Sequence, residues 1–136
     1  MKLVLFENRK DTSSQKSDGI IRPGLMVRDG VIDLWDVIPG TKIVPKEQMM
    51  IGIIEKFDTL KEQLESLSFT ATPTPIGQLL LRPPLPRPGK ILCCIGNYWE
   101  HSERDPRPLN LFLKNPDAVI GPNDTVVLPM MDEPYV

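Results

Sequence analysis

One histidine, two cysteines and a 6% aromatic content leave this 136-residue chain short of several kinds of chemistry. One histidine and two cysteines are too few for a zinc site built from those ligands alone, because a structural site needs four. The cysteines are neighbours, Cys93 and Cys94. Adjacent alpha carbons lie about 3.8 Å apart, below the roughly 4.4–6.8 Å of ordinary disulfides. The pair therefore reads as two small apolar residues in a core strand. No apolar run approaches the roughly 20 residues of a membrane-spanning helix. The short apolar start at Met1 to Phe6 is cut off by Glu7, Asn8 and Arg9, too soon for a secretion signal, and the cytoplasm is the expected compartment. The formal net charge is only −2, with both signs mixed along the chain, so no basic face for nucleic acid is expected. There is no internal repeat. A composition of 40% hydrophobic and 25% charged residues is that of a folded globular protein. Its length suits one ordinary domain, or one small domain with part of another.

What is present falls into three parts. Residues 1–70 read as a small α+β unit. Lys2 to Glu7 is a predicted strand, and the polar, serine-rich stretch from Asn8 to Asp18 a predicted loop. Leu25–Arg28 and Val31–Asp33 flank Asp29-Gly30, a hairpin signal because both turn residues tolerate positive φ. The one clear helical pattern runs from Lys46 to Ser66. Pro45 suits its first turn, and Met50, Ile53, Ile54, Phe57, Leu60 and Leu64 recur on one face. Residues 71–89 are proline-rich, with Pro73, Pro75, Pro83, Pro84, Pro86 and Pro88. Fixed φ and missing N–H groups keep such a stretch out of regular ladders, apart from the short run Gln78 to Leu81, so it reads as a stiff connector. From residue 90 to 136 the pattern turns to short strands: Ile91–Ile95, Leu109–Lys114 and Thr125–Leu128, with turns at Asn115–Asp117 and Gly121–Asp124.

The chemistry is concentrated just after the first of these. The apolar run Ile91–Ile95 ends at Gly96-Asn97, and Tyr98, Trp99, Glu100, His101 and Glu103 follow at once. Polar groups just past the end of a buried strand are held by the core behind them. Imidazole is the side chain whose ordinary titration lies closest to neutral pH, and His101 is the sole example here. Glu103 and Asp105 are the acids available to orient it. Asp105 would share a helical face with His101, although Pro106 disfavours a helical backbone at Asp105; Glu103, two residues on, would point elsewhere.

Four motifs in order then resemble the start of the catalytic domain of the fumarylacetoacetate hydrolase family. They are Gly96-Asn97-Tyr98 with His101, Leu111-Phe112-Leu113-Lys114, Gly121-Pro122-Asn123-Asp124, and Val126-Val127-Leu128-Pro129. The likeness is strongest over Lys90 to Pro129 and weaker over residues 1–70. It implies an α+β, β-rich fold: a small N-terminal domain followed by the first strands of a mixed β-roll. It also implies a homodimer, a Mg²⁺ or Mn²⁺ ion, and a small keto or enol acid that is cleaved, decarboxylated or isomerised. By the same likeness His101 is the water-activating base and Lys114 lies at the active site, while Asn97 and Tyr98 are candidates for substrate contact.

Two departures stand out. The family's Glu-x-Glu metal ligands come after the Leu-Pro strand, and no such pair follows here; Asp132-Glu133 are adjacent and would face opposite ways on a strand. The position three after the histidine, often glutamate in the family, is Arg104. The chain is thus expected to be the first part of a longer enzyme, holding no metal by itself. The alternative is a non-catalytic association unit completed by a separate chain.

Overall fold

A computed structural model of the chain describes residues 1–11, 16–95 and 109–130. Five strands form one antiparallel sheet: β1 Lys2–Asn8, β2 Arg22–Val27, β3 Gly30–Asp33, β4 Thr74–Pro75 and β5 Leu79–Arg82, in the order β4-β3-β2-β1-β5. Two further strands, β6 Ile91–Cys94 and β7 Leu111–Lys114, pair with each other alone among the described residues. Two helices, α1 Lys46–Glu55 and α2 Phe57–Thr70, lie between β3 and β4 in the chain. The architecture is α+β and β-rich, as the sequence predicts.

Alternation along β1 sorts its side chains onto two faces. Leu3 and Leu5 join Leu25 and Ile32 beneath the helices, against Met49, Met50, Ile53, Leu60 and Leu64. Val4 and Phe6 join Val31 and Leu79 in a cluster on the other face. Gly24 sits beside that second cluster. A Cβ there would collide with the Val31 side chain and approach a Phe6 ring carbon to 2.9 Å, so only glycine leaves room for both.

Three elements differ from expectation. The helix is broken in two at Lys56, whose φ of −103° and ψ of 11° end α1. The Lys56 carbonyl accepts hydrogen bonds from the Thr59 N–H, the Leu60 N–H and the Thr59 hydroxyl, which restarts the helix. The break lets α1 bury Met49, Met50 and Ile53 while α2 buries Leu60 and Leu64. A single straight stripe would also have buried Ile54, which is 54% exposed.

The hairpin turn is shifted by one residue. Val27 pairs with Gly30, so Arg28 and Asp29 make the turn and Gly30 is the first residue of β3. Its φ is not positive. Gly30 is required instead by close approach, because a Cβ would collide with the Thr74 carbonyl oxygen and lie 2.7 Å from its carbon. Asp29-Gly30 therefore carries the correct hairpin signal for a different reason. Finally, the proline-rich stretch is more regular than its composition suggests. Thr74-Pro75 pairs with Gly30-Val31, while the run set apart at Gln78 to Leu81 pairs, as Leu79–Arg82, with Leu5–Asn8. Proline is tolerated in β4 because that strand is the sheet edge.

Candidate functional site

The ladder of β6 and β7 frames the candidate site. Its register pairs Ile91 with Lys114, Leu92 with Leu113, Cys93 with Phe112 and Cys94 with Leu111. One further hydrogen bond, from the Ile95 N–H to the Asn110 carbonyl at 3.0 Å, closes the end of the ladder. The histidine-bearing segment is thus the connection between two paired strands, and its two anchor points are held side by side. Asn97, Tyr98, His101, Glu103 and Asp105 lie outside the described residues.

Lys114 is described, and it is exposed at the opposite end of the ladder, three pairs from Cys94 and Leu111. At about 3.3 Å per residue that is roughly 10 Å along the strand. The ammonium lies 5.7 Å from the centroid of the Phe112 ring, two residues nearer Ile95 and on the same face, within cation–π range. The contact sets the Lys114 ammonium beside Phe112 on the ladder face that also carries Ile91 and Cys93.

The platform itself needs correcting. The run Ile91–Ile95 is not buried by the described residues. Leu92 is 64% exposed, Leu113 67% and Leu111 48%, and Cys94 is exposed. These side chains share one face by alternation and register, while Ile91 and Cys93 on the other are half-buried. A two-stranded ladder can be covered only by something laid on it, and no described element covers the Leu92–Leu113 face. The cysteines are free thiols on opposite faces rather than core residues. Thr125–Leu128 forms no ladder with the described residues, and Val126, Val127 and Leu128 are 66%, 86% and 61% exposed.

Beyond the hairpin, Asn115 caps a short 3-10 turn, Pro116–Ala118, by accepting the Asp117 N–H at 3.0 Å. Gly121–Asp124 then returns to the five-stranded sheet. There Arg82 of β5 reaches both Glu7 of β1 (Nε to Oε1, 2.9 Å) and Asp124 (Nη1 to Oδ1, 3.2 Å). Sequence reasoning did not find this cluster, because its members are 75 and 42 residues apart. Elsewhere, a groove of about 560 Å³ is lined by Asn8, Arg9, Lys10, Asp11, Thr74 and Gln78 and includes none of the candidate residues.

Comparison with known proteins gives two matches. A rat protein described as oxaloacetate tautomerase Fahd2a, mitochondrial, is 30% identical over 105 residues, covering 74% of this chain and 32% of that protein. A solved structure of maleylpyruvate hydrolase from Sphingobium sp. SYK-6, in complex with manganese(II) and pyruvate, superposes with a TM-score of 0.73 at 27% identity over 96% of this chain and 43% of that one. The chain belongs to the fumarylacetoacetate hydrolase family. It spans about a third of the rat relative and less than half of the solved hydrolase. No family model matches it. Membership accounts for the motif order of residues 96–129 and for the α+β unit that precedes them. Both fumarylacetoacetate hydrolase family relatives act, by their names, on small oxo acids, and the solved one holds a divalent cation. Among the described residues of this member, no group of three or more His, Cys, Asp or Glu side chains converges to hold such an ion. No helix among them is long and apolar enough to cross a membrane.

Proposed function

We propose that this chain is the N-terminal part of a divalent-metal-dependent enzyme of the fumarylacetoacetate hydrolase type, acting on a small keto or enol acid, with His101 as its water-activating base. The observation that carries this reading is the match across 96% of the chain to a hydrolase holding manganese(II) and pyruvate. The cation, Mg²⁺ or Mn²⁺, takes its Glu-x-Glu ligands on this reading from outside the 136 residues, whose sequence contains no such pair. The contribution assigned to this chain is therefore proton transfer and substrate positioning. His101 accepts a proton from water at neutral pH and returns it to the carbon or oxygen that leaves. Asp105, or Glu103, accepts the other imidazole N–H and fixes the ring. The Lys114 ammonium and the polar groups of Asn97 and Tyr98 meet the negative oxygen of the acid or of its enolate. The assembled enzyme is a homodimer on this reading, and its address the cytoplasm, although the rat relative is itself mitochondrial. The test is turnover of oxaloacetate or an acylpyruvate by the complete polypeptide with Mg²⁺ or Mn²⁺. No turnover of any 1,3-dicarbonyl or 2-oxo acid with either ion would overturn the reading.

A second reading, an association unit completed by another chain, is favoured by the open face of the β6–β7 ladder. Leu92, Leu111 and Leu113 together form an apolar patch of the kind that marks an interface. Replacing Leu92 and Leu113 together by Lys is expected to abolish any concentration-dependent self-association of the 136-residue chain in sedimentation velocity. A wild-type chain that stays monomeric up to high micromolar concentration would count against the association unit.

A further inference from the structure

The Gly121-Pro122-Asn123-Asp124 motif has no role in the reading above, and its geometry supplies one. Gly121 is buried, whereas every residue from Pro122 to Met130 is exposed. Its burial comes from contact with the five-stranded sheet. A Cβ at Gly121 would lie 3.1 Å from the Leu81 carbonyl oxygen, 3.2 Å from Pro83 Cδ and 3.0 Å from Asp124 Oδ2, tighter than ordinary packing on three sides. The turn is closed from both ends. The Gly121 N–H donates to Asp124 Oδ2 at 2.7 Å, and the Asp124 N–H donates to the Gly121 carbonyl at 3.2 Å. Asn123, at φ 65°, supplies the left-handed step that brings them together, a conformation asparagine tolerates well.

The second carboxylate oxygen of Asp124 is left to face Arg82, 3.2 Å away. That guanidinium is already held from the other side by Glu7, through Nε at 2.9 Å and Nη2 at 3.3 Å. Glu7 in turn accepts a hydrogen bond from Ser17 and is 6% exposed. A planar guanidinium carries five donors in a fixed fork, so one side chain can bridge two carboxylates on different elements. An exposed pair of two flexible side chains contributes little. Here the acid is built into a closed turn and the base is fixed by a buried carboxylate, so little side-chain freedom remains to be lost when they meet.

We infer that Asp124 and Arg82 form a clasp that docks the Gly121–Asp124 turn onto β5 and thereby sets where the β6–β7 hairpin sits against the N-terminal sheet. The hairpin ends at Lys114, only seven residues before the docked Gly121, so the pinned turn limits how far β7 can stray. The inference concerns placement alone and stands whether or not the catalytic assignment does.

The experiment is hydrogen exchange by mass spectrometry on the whole chain, wild type beside Asp124→Asn and Arg82→Lys. In Asp124→Asn the side-chain amide oxygen can still accept the Gly121 N–H, so the turn closes but its charge is gone. Lysine keeps a positive charge beside Glu7 but lacks the fork that reaches both acids. Both variants are expected to speed exchange over residues 119–124 by about tenfold, the loss of one charge-assisted hydrogen bond, and in Asp124→Asn, which leaves the Arg82–Glu7 pair intact, peptides from β1 and β2 exchange as in wild type. Unchanged exchange at 119–124 in both variants would overturn the clasp. So would equal acceleration of β1 and β2 in Asp124→Asn, because the Asp124–Arg82 pair would then serve global stability rather than docking.

Discussion

Replacing His101 with Ala in the complete polypeptide is expected to lower metal-dependent turnover of oxaloacetate or an acylpyruvate by about 100-fold or more, the usual contribution of a positioned general base. The expectation rests on scarcity as well as on family. This chain has one imidazole, and the other side chains of its segment titrate far from neutral pH or not at all. The loss should fall on kcat with KM little changed, since removing a base leaves the substrate's contacts in place. A His101→Gln variant, which keeps a hydrogen-bonding group but cannot take up a proton, should be nearly as impaired. Replacing Asp105 or Glu103 with alanine should cost less, and the larger of the two losses names the partner of the ring. Turnover within a few-fold of wild type in His101→Ala would remove the role proposed for it.

Replacing Arg82 with Met is expected to cost about 3 kcal/mol of stability at pH 7, measured by urea unfolding. Methionine fills much of the same volume, so the loss is electrostatic. Glu7 is 6% exposed, and among the described residues its carboxylate would keep the Ser17 hydroxyl once the guanidinium is gone. The pH dependence of that deficit has a definite sign. Burial pushes the Glu7 carboxyl up, but hydrogen bonds from Arg82 and Ser17, with the guanidinium's charge, more than offset it, and the group lies below its ordinary value of 4.5. A carboxyl lowered by folding stabilises the folded chain above that ordinary value and loses its contribution as pH falls through the lower native one. In Arg82→Met burial, the Ser17 hydrogen bond and the nearby Asp18 charge remain, the carboxyl rises, and protonation then favours the folded state. The deficit of the variant should therefore be largest at neutral pH and shrink toward pH 4. Asp18, lowered by the Ile20 N–H and by Arg22 against its own burial, follows the wild-type direction of Glu7, whereas Asp33, raised by burial, opposes it. Both are present in wild type and variant alike, so the difference between the two reports the acids that Arg82 itself touches, the buried Glu7 and the more exposed Asp124. A deficit that grows on acidification would contradict the assignment.

The local patterns of the N-terminal unit were legible because each rests on neighbours in sequence. Alternation in Lys2–Asn8 and the apolar stripe of residues 46–66 are written within a few residues. What escaped was set by distant contacts. The break at Lys56 follows from the need of two helical segments to cover one twisted sheet. Gly30 looked like a turn glycine, and its reason is the Thr74 backbone 44 residues away. The β4 ladder was hidden by a proline that an edge strand accommodates, whereas the run Gln78 to Leu81 stood apart from the connector in the sequence and pairs as β5. The Ile91–Ile95 run looked like a buried strand because composition records apolarity but not what lies on top of it. At the candidate site the legible part was chemical: the order of motifs and the lone imidazole. The register that places Lys114 three pairs from the ends of the histidine-bearing connection belongs to the ladder and had no signature in the sequence.

The most direct test is Mn²⁺ binding, followed by electron paramagnetic resonance, by the 136-residue chain and by the complete polypeptide side by side. One tight site per subunit is predicted in the complete polypeptide. The 136-residue chain should bind no stoichiometric ion, since no Glu-x-Glu pair occurs in its sequence. A tight one-to-one site in the 136-residue chain, or none in either, would contradict the account.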